Sequence, residues 1–221
     1  MPSEPAITID PPFDADAHCY LRPDGRPYGG SVTGRLKEFG LYKAEAFYTD
    51  YGRTRGRLIH LVTELDDLDD LADDSVDPAL SGYLAAWRRF KVETHFEVAV
   101  VNGRLCVERR YGDNETDTAG TADRLGYVQL RGMRRFAVVD LKRGAAPAVY
   151  GVQLAAYADF VRRSGEFPDE PLIERVGVHL AENGTYQLHP YTDRNDLKVW
   201  RAVTTVSAWK RANGIELGRA A

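Results

Sequence analysis

Phe136-Ala-Val-Val139 runs directly into Asp140-Leu141-Lys142, and this change from apolar to charged within one extended segment restricts the fold more than any other feature of the chain. In a strand, alternate side chains share a face, so Asp140 and Lys142 project together while Leu141 enters the opposite layer. A carboxylate and an ammonium then occupy one site. Just upstream stands an isolated acid, Asp123, in Gly120-Thr-Ala-Asp-Arg-Leu-Gly126. With Asp123 at the end of a neighbouring strand, two carboxylates would converge beside one lysine. That is the hard oxygen environment Mg2+ or Mn2+ prefers.

An acid-x-Lys triplet arises by chance about once in a chain of this size, and Asp196-Leu-Lys198 is a second copy. Its surroundings differ. Leu197, Trp200, Val203 and Val206 recur at helical spacing, and on a helix positions two apart diverge. Asp196 and Lys198 are therefore expected on a solvated helix surface, and Asp140 and Lys142 at the site.

With 221 residues and 43% apolar content the chain can bury a sizeable core, and a single α/β domain is expected. No apolar run of about 18 residues and no charged-then-apolar leader is visible, which predicts a cytoplasmic protein without a membrane span. Cys19 and Cys106 lie far apart in sequence and make no metal-ligand spacing, so each is expected to be buried and structural. The net charge of −4 is unevenly spread. Residues 64–77 hold eight acids and no base, leaving 29 basic against 25 acidic residues elsewhere. Leu65, Leu68 and Leu71 keep one side of this stretch apolar, so it reads as a solvated helix face that repels phosphate.

Six of the eleven prolines fall in residues 1–30, which predicts an irregular N-terminal arm before a domain over 31–221. Ser31 is expected to cap a helix through Val32–Phe39. Further helices are expected over Gly56–Leu71, Ala79–Phe90, Val149–Arg163 and Arg194–Asn213. His95–Val101 and Arg104–Glu108 flank Asn102-Gly103 and form a hairpin. Strands follow at 118–126, 135–142, Glu174–Leu180 and Tyr186–His189. His95, His179 and His189 show no partner pattern.

The stretches Gly120–Gly126, Val138–Gly144 and Gln153-Leu-Ala-Ala-Tyr157 resemble the PD-(D/E)XK nuclease superfamily, in its RecB-like exonuclease branch common in bacteriophages. Ser31-Val-Thr33 and Arg55-Gly-Arg-Leu-Ile-His60 resemble that branch's opening motifs, so the likeness extends from about residue 31 to beyond 157. It implies a restriction-endonuclease-like core, a mixed central sheet flanked by helices, and two-metal hydrolysis of DNA. Asp123 would be the shared metal ligand, Asp140 the second carboxylate, and the Leu141 carbonyl a further ligand. Lys142 would orient the attacking water, and His60 would join the metal site. Gln153 and Tyr157 would support the site and the bound strand. Asp123 follows alanine rather than the proline of the superfamily's name pattern. The cysteine quartet that holds an iron-sulfur cluster in some relatives is missing from the sequence.

Beside this resemblance stand readings of individual residues. Glu64, one turn beyond His60, shares its helix face and is a candidate ligand. Arg53, Arg55, Arg57, Lys91 and Arg143 are candidates for lining a groove that tracks a nucleic-acid backbone. Glu93 and Glu97 read as solvent-facing. The expectation is a Mg2+- or Mn2+-dependent deoxyribonuclease, most simply an exonuclease of phage or bacterial recombination, replication or repair. A structure-specific endonuclease and a DNA-binding module without turnover are the rivals. Recombination or replication proteins are partners by analogy alone.

Overall fold

The computed structural model describes residues 5–42, 50–144 and 146–215. Strands β1 (Ile7–Ile9), β2 (Phe13–Asp14) and β3 (Cys19–Tyr20) come first, followed by helices α1 (Val32–Glu38), α2 (Asp50–Asp67) and α3 (Pro78–Thr94). Next are the short strands β4 (Glu97–Val98), β5 (Val100–Val101) and β6 (Arg104–Leu105). The long strands β7 (Val107–Asp113), β8 (Thr118–Leu130) and β9 (Met133–Lys142) follow. Helix α4 (Val149–Ser164), strands β10 (Glu174–Leu180) and β11 (Tyr186–Pro190), and helix α5 (Asn195–Ala212) complete the order.

The main sheet runs β1-β7-β8-β9-β10-β11, with β4 pairing on β8. All its pairs are antiparallel except β9 with β10, which are parallel and joined through α4. The period of two along β9 explains the layering. Phe136 and Val138 face a core shared with Val32, Leu36, Leu154, Phe160 and Trp200, from α1, α4 and α5. Ala137, Val139 and Leu141 face Ile59, Tyr83, Trp87 and Phe90, from α2 and α3. The protein is thus mixed α/β, with a mixed central sheet flanked by helices. The same alternation carries Asp140 onto the α4 side at the strand's end.

Local chemistry sets the element ends. The Ser31 side chain accepts a hydrogen bond from Gly34 N at 3.0 Å, as its sequence position predicts. Asp77 caps α3 by accepting from Ala79 N at 2.8 Å, with Pro78 at the first helical position. Asn102 and Gly103 both take positive φ in the β5–β6 turn. Arg131 and Gly132 do the same between β8 and β9, closing a two-residue hairpin.

The structure corrects several expectations. The N-terminal residues are not simply an irregular arm, because β1 joins the sheet edge at β7 and buries Ile7. Helix α2 ends at Asp67, and the acidic stretch is only partly solvated. Asp66 and Asp67 are buried against Arg88, Lys91 and Arg124, so they act as countercharges rather than as a phosphate-repelling face. Asp196, expected in solvent, is largely buried and holds Arg175 at 2.7 Å. Glu93 and Glu97 do face solvent, paired with Arg89 and Arg134.

Cys106 is fully buried, but Cys19 is half-exposed, contrary to expectation. Burial pushes the Cys106 thiol up to about 11, leaving about a thousandth as thiolate at pH 8. Iodoacetamide should therefore alkylate Cys19 in the native protein and spare Cys106, with the difference vanishing in denaturant. Equal labelling of both under native conditions would contradict the burial of Cys106.

Candidate metal centre

Strand parity slips where the site lies. Ala122 and Leu125, three residues apart, both enter the core under α4, so β8 changes face across Asp123 and Arg124. Opposite this slip Glu108 takes φ +46°, and the regular β7–β8 pairs skip it, running from Val107↔Arg124 to Arg109↔Ala122. Such distortions re-aim side chains next to functional sites. Here the ligand atoms of His60, Glu108 and Asp123 all lie within 4.8 Å of one another. His60 Nδ1 is 3.5 Å from Glu108 Oε1 and 3.7 Å from Asp123 Oδ2.

Asp123 is held from the next strand. Its Oδ2 accepts a hydrogen bond from Leu141 N at 2.7 Å, tying the middle of β8, rather than the strand end expected for Asp123, to β9. Asp140, 1% exposed, stands beside it on β9. Lys142 Nζ is 2.6 Å from Asp140 Oδ2, yet neither carboxylate oxygen has a partner in hydrogen-bond geometry among the described residues.

Below the triad, Arg124 is fully buried and links all three elements that carry it. Its Nε meets Asp67 Oδ2 at 2.6 Å, and Nη2 donates to Thr63 Oγ1 at 3.2 Å, both on α2. Nη1 donates to Glu108 Oε1 at 3.1 Å and to the Asp123 carbonyl at 2.7 Å. The guanidinium also lies 5.7 Å from the Trp87 ring centroid.

The charges respond to this crowding. Burial opposes protonation of His60, but the carboxylates of Asp123 and Glu108 outweigh it and raise its pKa to about 9. Burial raises the Asp140 carboxyl, and the Lys142 ammonium pulls it back only in part. Burial likewise disfavours the Lys142 charge, and Asp140 and Asp123 more than restore it. Glu64 is raised by partial burial and by Glu108. In the metal-free protein the His60 pKa exceeds its unfolded value, so its stabilisation is complete below pH 6.5 and is lost as pH rises through about 9. Melting in chelator should show a gap between the wild type and His60→Gln at pH 6 that closes above pH 9; a gap independent of pH would exclude the ion pair as its source.

A cleft of about 890 Å³ opens over the site. His60, Glu64, Glu108, Leu141, Lys142 and Tyr150 line it, with Arg53, Arg57 and Arg143 contributing its cationic rim. Arg143 is steadied by donating to the Gly52 carbonyl at 3.1 Å.

Of the residues singled out from sequence, the structure brings His60, Asp123, Asp140, Leu141 and Lys142 together. Glu64 lies in the same cleft but outside the ligand triad. Gln153 and Tyr157 lie buried on α4, with Gln153 Nε2 3.4 Å from Tyr157 Oη. Arg55 turns away from the cleft, pairing with Glu182 at 2.9 Å and lying over the Tyr83 ring. Lys91 is committed to Asp66 and Asp67.

Glu108 is the residue sequence reasoning missed as a ligand. It was visible only as the end of a hairpin strand, and its place opposite Asp123 depends on a register that no local pattern encodes.

The donor set fits a hard divalent cation. Adjacent octahedral donors at about 2.1 Å stand about 3 Å apart, so the 3.5 and 3.7 Å separations of His60 from Glu108 and Asp123 would have to close by about half an ångström or more. No protein-family model and no curated protein matches the chain.

Proposed function

We propose that the chain is a Mg2+- or Mn2+-dependent deoxyribonuclease with a restriction-endonuclease-like core, of the RecB-like branch of the PD-(D/E)XK superfamily. The observation that carries this reading is the convergence of His60, Glu108 and Asp123 beside Asp140 and Lys142, with His60, Glu108 and Lys142 lining an arginine-rimmed cleft. The element order adds support. Helices, three antiparallel strands β7-β8-β9, a helix and a parallel strand β10 follow one another, with the acids on β8 and β9.

His60, Glu108 and Asp123 would hold the cation, with Asp140 adjacent. A bound divalent ion lowers the pKa of its water towards neutrality and offsets charge on phosphate. Arg53, Arg57 and Arg143 bind the phosphate backbone electrostatically. Lys142, kept protonated by Asp140, stabilises charge developing on the phosphoryl oxygens and orients the attacking water. The Gln153–Tyr157 pair supports the α4 side of the site. The product class is a 5′- or 3′-phosphorylated fragment, and an exonuclease is the preferred mode.

Incubation of the wild type with end-labelled linear DNA and a closed single-stranded circle, in Mn2+ or chelator, tests the proposal. Metal-dependent loss of the linear DNA alone supports the exonuclease, and cutting of the circle replaces it with the endonuclease. Binding of DNA without any hydrolysis would leave a binding module and sink the enzymatic reading.

A further inference from the structure

His179 lies on β10, outside every motif discussed above, yet the parallel register sets it beside Lys142 and sets Gly177 beside Asp140. It is 4% exposed. Its Nδ1 is 2.8 Å from the Gly144 carbonyl. A carbonyl only accepts, so Nδ1 carries the hydrogen and Nε2 is a bare acceptor. Burial lowers the pKa of the ring, so it places no second positive charge against the lysine.

The hydrogen bond reaches the backbone two residues after Lys142, where β9 has ended and Gly144 turns at φ +73°. Without it, the segment carrying Lys142 and Arg143 would leave the sheet unanchored at this carbonyl. The wall continues around the ammonium. Lys142 Nζ sits 4.9 Å from the Tyr150 ring centroid, Tyr150 lies 6.3 Å from the His179 ring, and His189 packs edge-on to His179 at 4.7 Å.

Gly177 leaves room for this arrangement. A Cβ there would stand 3.0 Å from Tyr191 Cε2, a tight approach, and 3.4 Å from His179 Nε2, an ordinary contact, so a side chain would crowd Tyr191 against the same wall. His179 Nε2 and Tyr191 Oη are both buried without a hydrogen-bond partner among the described residues.

We infer that His179 is a positioning residue for Lys142: through the Gly144 carbonyl it fixes the strand end that presents the ammonium to Asp140 and to the cleft. The inference rests on the catalytic reading of Lys142 given above. It does not make His179 a group that touches substrate.

The test compares His179→Phe, which keeps ring volume but cannot donate, with His179→Asn, whose amide can donate to the same carbonyl. Two readouts are taken on the full chain. The first is kcat and KM on linear DNA with Mn2+ affinity and melting temperature alongside. The second, independent of turnover, is the acetylation rate of Lys142 by an N-hydroxysuccinimide ester, followed by peptide mass mapping.

His179→Phe is expected to lower kcat about tenfold to a hundredfold, as small misplacements of reacting groups do, with KM and Mn2+ affinity little changed. Lys142 should be acetylated severalfold faster, and His179→Asn should restore both values towards wild type. Unchanged Lys142 acetylation in His179→Phe would overturn the positioning role, whether or not the wild type cleaves DNA. A fall in melting temperature with no recovery in His179→Asn would likewise reduce His179 to packing. If acetylation changes as expected while the wild type shows no hydrolysis, the positioning stands and the nuclease reading fails.

Discussion

Arg124→Met is expected to destabilise the protein by about 3 kcal/mol, the lower end of the range for removing one partner of a buried ion pair. The substitution keeps much of the side-chain volume and removes the charge. It strands Asp67 Oδ2, which is buried and meets Arg124 Nε at 2.6 Å. Asp67 Oδ1 keeps Lys91 Nζ at 2.7 Å and Trp87 Nε1 at 3.0 Å, which is why the loss stays at the lower end. For a chain of this length that corresponds to a fall of about 6 to 12 °C in melting temperature. Mn2+ affinity should fall with it, because Glu108 and the Asp123 backbone lose the donor they share. Thermal melts and a Mn2+ titration check both effects. A shift under about 2 °C with metal affinity intact would show that the network neither stabilises the fold nor positions the ligands.

Asp123→Asn should remove function while leaving the fold in place. The side-chain carbonyl of asparagine still accepts from Leu141 N, so the tie between β8 and β9 survives. What disappears is the negative charge between His60 and Asp140. Metal-dependent stabilisation in hydrolysis is worth several kcal/mol, so a loss of about a thousandfold or more in rate is expected. His60 would also titrate closer to its ordinary value, having lost one of its two carboxylates. Turnover measured beside a histidine titration followed by NMR separates the two effects. Activity within about tenfold of wild type would remove Asp123 from the mechanism.

These expectations rest on features of unequal visibility in the sequence. The alternation Phe136-Ala-Val-Val139 encodes the two-layered strand, and with it the shared face of Asp140 and Lys142. Asn102-Gly103 encodes its turn because its backbone angles demand those residue types. Register is different. Glu108 reaches Asp123 only because β7 and β8 pair around a local distortion, an outcome of the whole sheet rather than of either strand. Charge is similarly ambiguous. An aspartate reads the same in sequence whether it is solvated, as expected for residues 64–77 and Asp196, or buried against an arginine, as Asp67 and Asp196 are. Arg55 shows the limit of grouping by proximity: two positions from Arg53 on a helix, it points to a different face. His179 had no local signal at all, since its neighbour Lys142 lies on another strand.

The deciding measurement for a metal-dependent nuclease site at Asp140 and Lys142 is hydrolysis of end-labelled linear DNA in Mn2+ by the wild type, Asp140→Ala and Lys142→Ala, each with and without chelator. Melting temperature is followed in parallel to show that the variants are folded, and Mn2+ affinity to show whether the metal site persists. The expected result is chelator-sensitive hydrolysis by the wild type and none by either variant, with Lys142→Ala still binding Mn2+. Equal hydrolysis by all three proteins, or a wild type indifferent to chelator, would contradict it.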